Sequence, residues 1–223
     1  GEPITGPPLV RLLDQFNNRV PGVDITVSEQ SEQSFASGTL TLTSNSSGEA
    51  AFSDLVINEA GRYNLVFTAS GQVGSTVAFD VISASPEASE TTASVPNGSA
   101  GDQTDIIITV EDEFGNRVAG EADNLSVSVG GANDGATVDP ISDDGNGIYT
   151  TGYTPTSTGT DEIAITLSGV VIAGSPYTSN VITSDAENVA VDTQPQQTVA
   201  GQPIDGPPAA IVTDNLTNPV SGV

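Results

Sequence analysis

One phrase, D-x-[FL]-x-N-x-V-x-G, is written three times in this chain, and no other feature limits the possible folds so tightly. It reads "RLLDQFNNRVPG" at residues 11–22, "VEDEFGNRVAG" at 110–120 and "IVTDNLTNPVSG" at 211–222. In register, the copies are Asp14, Phe16, Asn18, Val20 and Gly22; then Asp112, Phe114, Asn116, Val118 and Gly120; then Asp214, Leu216, Asn218, Val220 and Gly222. A second landmark keeps the first offset of 98 residues: "AGRYNLVFTASG" (60–71) aligns with "TGTDEIAITLSG" (158–169), Gly61 on Gly159 and Gly71 on Gly169. Two independent landmarks at one spacing define an internal repeat of about a hundred residues. Residues 1–23 also align without a gap on residues 201–223, with 11 of 23 positions identical, so the larger period is 200 residues. Two domain types therefore alternate, followed by a return to the first.

Within each unit the pattern is all-β. "VDITVSEQ", "GTLTLTS" and "YNLVFTAS" in the first unit, and "DIIITVED", "LSVSVGG" and "EIAITLSG" in the second, alternate apolar with polar residues. Turn residues separate the runs, as in Ser-Asn-Ser-Ser-Gly at 44–48 and Asp-Asp-Gly-Asn-Gly at 143–147. The one candidate helical turn is "NEAG" (58–61). Roughly seven short strands per hundred residues is the scale of an immunoglobulin-like sandwich. The expected architecture is tandem immunoglobulin-like β-sandwiches. A first-type domain spans residues 1–86 with its N-terminal strand missing, a second-type domain spans 87–187, and residues 188–223 begin a further copy of the first type, too short to fold alone.

Composition excludes more than it proposes. The chain carries 29 acidic residues against four Arg, a formal net charge of -25, and no His or Cys. High charge is a signature of disorder, but 36% of residues are hydrophobic and fall in alternating runs, so the chain should fold. Acidity on this scale rules out nucleic acid and anionic membranes as partners and suits a high-salt setting. No apolar run reaches membrane-spanning length, so no membrane insertion is expected. Without His or Cys there is no nucleophilic triad and no ordinary zinc site; with no Lys there is no P-loop lysine or Schiff base. A carboxylate pair acting on sugar is the one catalytic type left, and 10 aromatics without Trp are few to line a sugar subsite. The chain is read as no enzyme.

The repeated phrase reads as a strand leaving the core, a tight turn and a return. Its Asp can cap the turn, its Asn tolerates a left-handed backbone, its Phe or Leu anchors the corner, and its Val starts the next inward face. All residues of the three copies, Gly222 among them, are thus expected to be structural. The alternative is a cation site. Hard cations take carboxylate and carbonyl oxygens from loops, which makes Asp143, Asp144, Asp112, Asp14, Glu187 and Asp185 candidate ligands, with Ca²⁺ as the one cofactor to consider. Four Asn-x-Ser/Thr triplets, at Asn45, Asn97, Asn124 and Asn215, are candidate glycosylation acceptors.

The phrase also carries a resemblance. The "D…GN.V.G" corner resembles bacterial Ig-like domains of the invasin and intimin type, a likeness that covers residues 1–82. Residues 97–182 resemble a filamin-type Ig repeat more closely: Gly147, Tyr149, Tyr153, Pro155, Gly159, Gly174, Ser175, Pro176 and Tyr177 follow its pattern. The chain departs from animal filamins in its acidity and in having Tyr177 where Phe is usual. The resemblance implies a fold and a spacer role and transfers no binding residue. The expected function is a structural repeat segment of an extended extracellular or cell-surface protein, a stalk in an adhesin. A filament subunit assembled by strand complementation is the alternative. Expected partners are neighbouring repeats of the same chain or identical subunits, with a further option of a protein ligand added to the edge runs "YTTGYTP" and "DEIAITL" or a carbohydrate held in a loop.

Overall fold

Alternation of small turns with Val, Ile and Thr leaves the chain little choice but strands. The computed structural model describes residues 1–30, 34–76, 78–204, 206 and 208–221. It is all-β apart from one short 3₁₀ turn at Ala122–Asn124. The "NEAG" segment forms no helical turn: residues 58–60 are an irregular loop and Gly61 opens a strand. Two compact units divide the chain: Gly1–Ala84 with Phe114–Asn116, and Ser85–Glu113 with Arg117–Val223.

In the first unit the strands are β1 (Leu9–Arg11), β2 (Asp24–Glu29), β3 (Thr41–Thr43), β4 (Glu49–Ala51), β5 (Gly61–Tyr63), β6 (Leu65–Ala69), β7 (Gln72–Ser75) and β8 (Phe79–Val81). A four-stranded sheet runs β3-β2-β6-β7, and the pairs β1-β4 and β5-β8 stand apart from it. Period-two alternation puts Ile25 and Val27 of β2, and Leu65, Phe67 and Ala69 of β6, on one face. There they meet Ala50, Phe52 and Leu55, with the Phe52 and Phe67 rings 5.3 Å apart.

The second unit holds β9 (Thr92–Ser94), β10 (Gly98–Ser99), β11 (Thr104–Thr109), β12 (Leu125–Gly131), β13 (Ser142–Gly145), β14 (Ile148–Tyr153), β15 (Gly159–Leu167), β16 (Val170–Val171), β17 (Tyr177–Ile182), β18 (Asn188–Thr193) and β19 (Ala209–Thr213). One sheet runs β10-β17-β15-β12 with β16 on β15, and the other runs β13-β14-β11-β9. Their inner faces share a core of Ile106, Ile108, Val110, Val129, Tyr149, Tyr153, Ile163, Ile165 and Leu167, which makes a sandwich. The Pro/Ser-containing stretch at 83–102 supplies β9, β10 and the buried Ala88. Strands β18 and β19 pair with each other and leave Val189 and Val191 exposed.

The second sequence landmark has a local cause. Ser70-Gly71, joining β6 to β7, and Ser168-Gly169, joining β15 to β16, all have positive φ, between 48° and 80°. This is the backbone a two-residue hairpin needs to match strand twist, and glycine adopts it without steric cost.

Candidate functional site

The repeated corner is built from its aspartate outward. Asp14 Oδ1 accepts the backbone N–H groups of Phe16 and Asn18, both at 2.8 Å, and Oδ2 accepts the Asn18 side-chain amide at 3.0 Å. Asp214 repeats this with Leu216, Asn218 and the Asn218 amide, each at 2.9 Å. These bonds matter electrostatically because N–H donors favour the charged carboxylate. The Asn18 amide, then the Asn18 backbone N–H, hold the Asp14 carboxyl below the usual carboxylate range. At Asp214 burial pushes the other way, yet the bonds from Asn218 and Leu216 keep its carboxyl lowered as well. Bridges between Leu13 and Arg19, Glu111 and Arg117, and Thr213 and Pro219 close the three corners alike.

The geometry corrects two expectations. The left-handed residue is not the repeated Asn but the one before it: Asn17 at φ 61°, Gly115 at 80° and Thr217 at 69°. The asparagine's task is a different one. Second, the aromatic does not anchor the first corner. Phe16 is 74% exposed, whereas Phe114 and Leu216 are half-buried. The three aspartates divide likewise: Asp112 and Asp214 are buried and Asp14 is exposed. What covers a corner, rather than its own sequence, decides its burial. Gly22 and Gly120 both have positive φ, as the turn requires; Gly222 lies outside the described residues.

The task of the asparagine is visible in two copies. In the first unit the Asn116 side-chain amide donates to the Asn58 carbonyl at 2.7 Å, and its oxygen accepts the Ala60 N–H at 2.7 Å. In the second unit the Asn218 amide donates to the Thr156 carbonyl at 3.0 Å and its oxygen accepts the Thr158 N–H at 3.4 Å. Asn58 and Ala60 correspond to Thr156 and Thr158 at the same 98-residue offset as the glycine landmark. Both asparagines thus read the carbonyl of one residue and the N–H of the next but one, in equivalent loops.

Interior side chains prepare each loop for this. Tyr63 donates its hydroxyl to the Glu59 carbonyl at 2.8 Å, holding the middle residue of the first loop. In the second loop Asn133 does the work: its Nδ2 donates to the Ser157 carbonyl, and its Oδ1 accepts the Thr156 and Ser157 N–H groups. Asn133 is fixed in turn by the fully buried Asp161, which also accepts the Tyr153 hydroxyl at 2.9 Å. Burial pushes the Tyr153 hydroxyl up to about 12. In both loops the middle carbonyl is held, and the flanking carbonyl and N–H are presented to the asparagine. Sequence reasoning missed Asn58, Ala60, Thr156 and Thr158 because main-chain recognition leaves no residue-type signature; Gly61 and Gly159 mark the place but not its partner.

The candidate cation ligands are dispersed. Asp143 accepts the Gly120 and Gly145 N–H groups, and Asp144 accepts the Thr150 hydroxyl. Asp185 and Glu187 are exposed ahead of β18, and Asp14 and Asp112 sit in their corners. Among the described residues, no three His, Cys, Asp or Glu side chains gather as a metal site would require.

No curated protein matches the sequence. Among solved structures, the FdeC adhesin of Escherichia coli superposes with a TM-score of 0.60 at 21% identity, covering 94% of this chain and 68% of that one. InvD of Yersinia pseudotuberculosis gives 0.55 at 19% identity over 95% of this chain. Invasin, a bacterial integrin-binding protein, gives 0.52 at 17% identity over 96%. The chain spans 66% of the InvD structure and 44% of the invasin structure. Such identities speak for fold. The family model of the Filamin/ABP280 repeat matches residues 83–178. The chain is thus an all-β, Ig-like repeat protein with the fold of bacterial adhesin structures, and its residues 83–178 match the Filamin/ABP280 repeat.

Proposed function

We propose that this chain is a structural segment of Ig-like repeats in an extracellular or cell-surface protein, acting as a spacer in the stalk of an adhesin. The observation that carries the reading is the alternation itself: Ig-like modules return about every hundred residues, in a fold shared with the FdeC adhesin, InvD and invasin structures. Repeats of this kind extend reach, and their stability accumulates module by module. Chemistry argues the same way, since the chain lacks His, Cys and Lys and its buried polar groups hold loops rather than line a reaction site. Among the described residues no helix is long and apolar enough to cross a membrane. Binding at the tip belongs, on this reading, to other parts of the parent protein.

Small-angle scattering of the 223-residue chain over a concentration series tests the proposal. The expected result is a monomer with the extended profile of serial modules at every concentration. Growth into fibres would replace the spacer reading with filament assembly by strand complementation, and a compact monomer would overturn both.

A further inference from the structure

We propose that the D-x-[FL]-x-N corner is a clamp that reads the main chain of a loop roughly sixty residues earlier in the chain, and that Asp14–Asn18 is an open copy of it. The occupant of the open copy is a loop of the Thr156–Thr158 kind, carried by another second-type repeat. The inference goes beyond the spacer reading and stands on geometry alone.

The clamp works because an asparagine amide has a donor and an acceptor side by side. A carbonyl and the N–H two residues on, held in a turn, offer the complementary pair. In the copy filled at Asn218 the Asp is the orienting group. Asp214 Oδ2 accepts one hydrogen of the Asn218 Nδ2, which turns the other hydrogen and the oxygen toward Thr156 and Thr158. Asp14 makes the same bond to Asn18 Nδ2 at 3.0 Å, so Asn18 is already turned. Its amide oxygen meets no donor among the described residues, and the adjoining Phe16 is 74% exposed. The equivalent Leu216 is half-buried, and a Cβ on Gly101 would lie 3.4 Å from its Cδ1. An amide pair beside an apolar side chain is therefore the whole clamp, filled at Asn116 and Asn218 and open at Asn18.

The choice of loop follows from sequence order. Asn18 heads a first-type unit, as Asn218 does, and Asn218 takes the loop of a second-type unit. Residues 1–23 align on 201–223, so joining residues 85–200 directly ahead of Gly1 reproduces the spacing at which Asn218 meets its loop.

Amide hydrogen exchange tests this in two steps. In the 223-residue chain, Asn218→Ala should speed exchange of the Thr158 N–H, and Asn116→Ala that of Ala60, each at least about fivefold, while core amides such as Ile163 keep their protection. Asn18→Ala should change neither amide. In the extended chain, Asn18→Ala should release the Thr158 N–H of the added copy by the same factor. Unchanged exchange there would overturn the open-clamp assignment, and unchanged exchange at Thr158 in Asn218→Ala would overturn the clamp itself.

Discussion

A carboxylate surrounded by N–H donors stays charged further into acid than a free one, and Asp14 and Asp214 are such groups. The Asn18 side chain, then its backbone N–H, lower the Asp14 carboxyl; at Asp214 burial opposes, and the bonds from Asn218 and Leu216 prevail. A folded-state value below the unfolded value of about 3.9 contributes stability that is complete above that pH and lost as pH falls through the folded value. On top of the relief of self-repulsion that protonation brings, these two groups should pull the melting midpoint down as pH falls below about 4. Asp14→Asn, which cannot titrate, should flatten part of that decline, and an unaltered acid limb would show that Asp14 contributes nothing to it. The aspartate's role is legible from residue type because its partners lie two and four residues away. The asparagine's is not, because its partners are main-chain groups roughly sixty residues earlier, in loops that share no side chain with one another.

At the level of strands and loops, the second unit rests on a polar group in its core. Asp161 is fully buried and holds both Asn133 and Tyr153. Removing the Tyr153 hydroxyl leaves the fully buried Asp161 with one donor fewer, so Tyr153→Phe should cost about 1–2 kcal/mol. Urea denaturation should show a lower midpoint with an unchanged slope. The long strands were legible because alternation is strong where one face is buried: β11 and β15 each bury every second residue along most of their length. Strands such as β1, β5, β9 and β10 were not, since two or three residues of mixed exposure carry no period. The Asp161 network also escaped notice, because an aspartate at an inward position breaks the alternation instead of marking a site.

For the whole molecule the dominant electrostatic fact is self-repulsion. Against a formal net charge of -25 stand surface pairs such as Arg11–Glu49 at 2.7 Å, Arg19–Glu49 at 3.1 Å and Arg62–Asp80 at 3.7 Å. Exposed pairs contribute about 0–1 kcal/mol each, while repulsion sums over every carboxylate and is screened within about 10 Å at 0.1 M salt. Raising NaCl from 0.05 to 1 M should therefore raise the melting midpoint by about 3–8 °C; a fall would mean that the ion pairs outweigh the repulsion. The two-point grip of Asn116 and Asn218 has a different reach. Asn-Glu-Ala in one loop and Thr-Ser-Thr in the other satisfy it equally, because peptide groups are common to all residues. A grip of this kind is indifferent to ancestry: the loops it holds can drift in sequence without loosening it, because no side chain of theirs takes part.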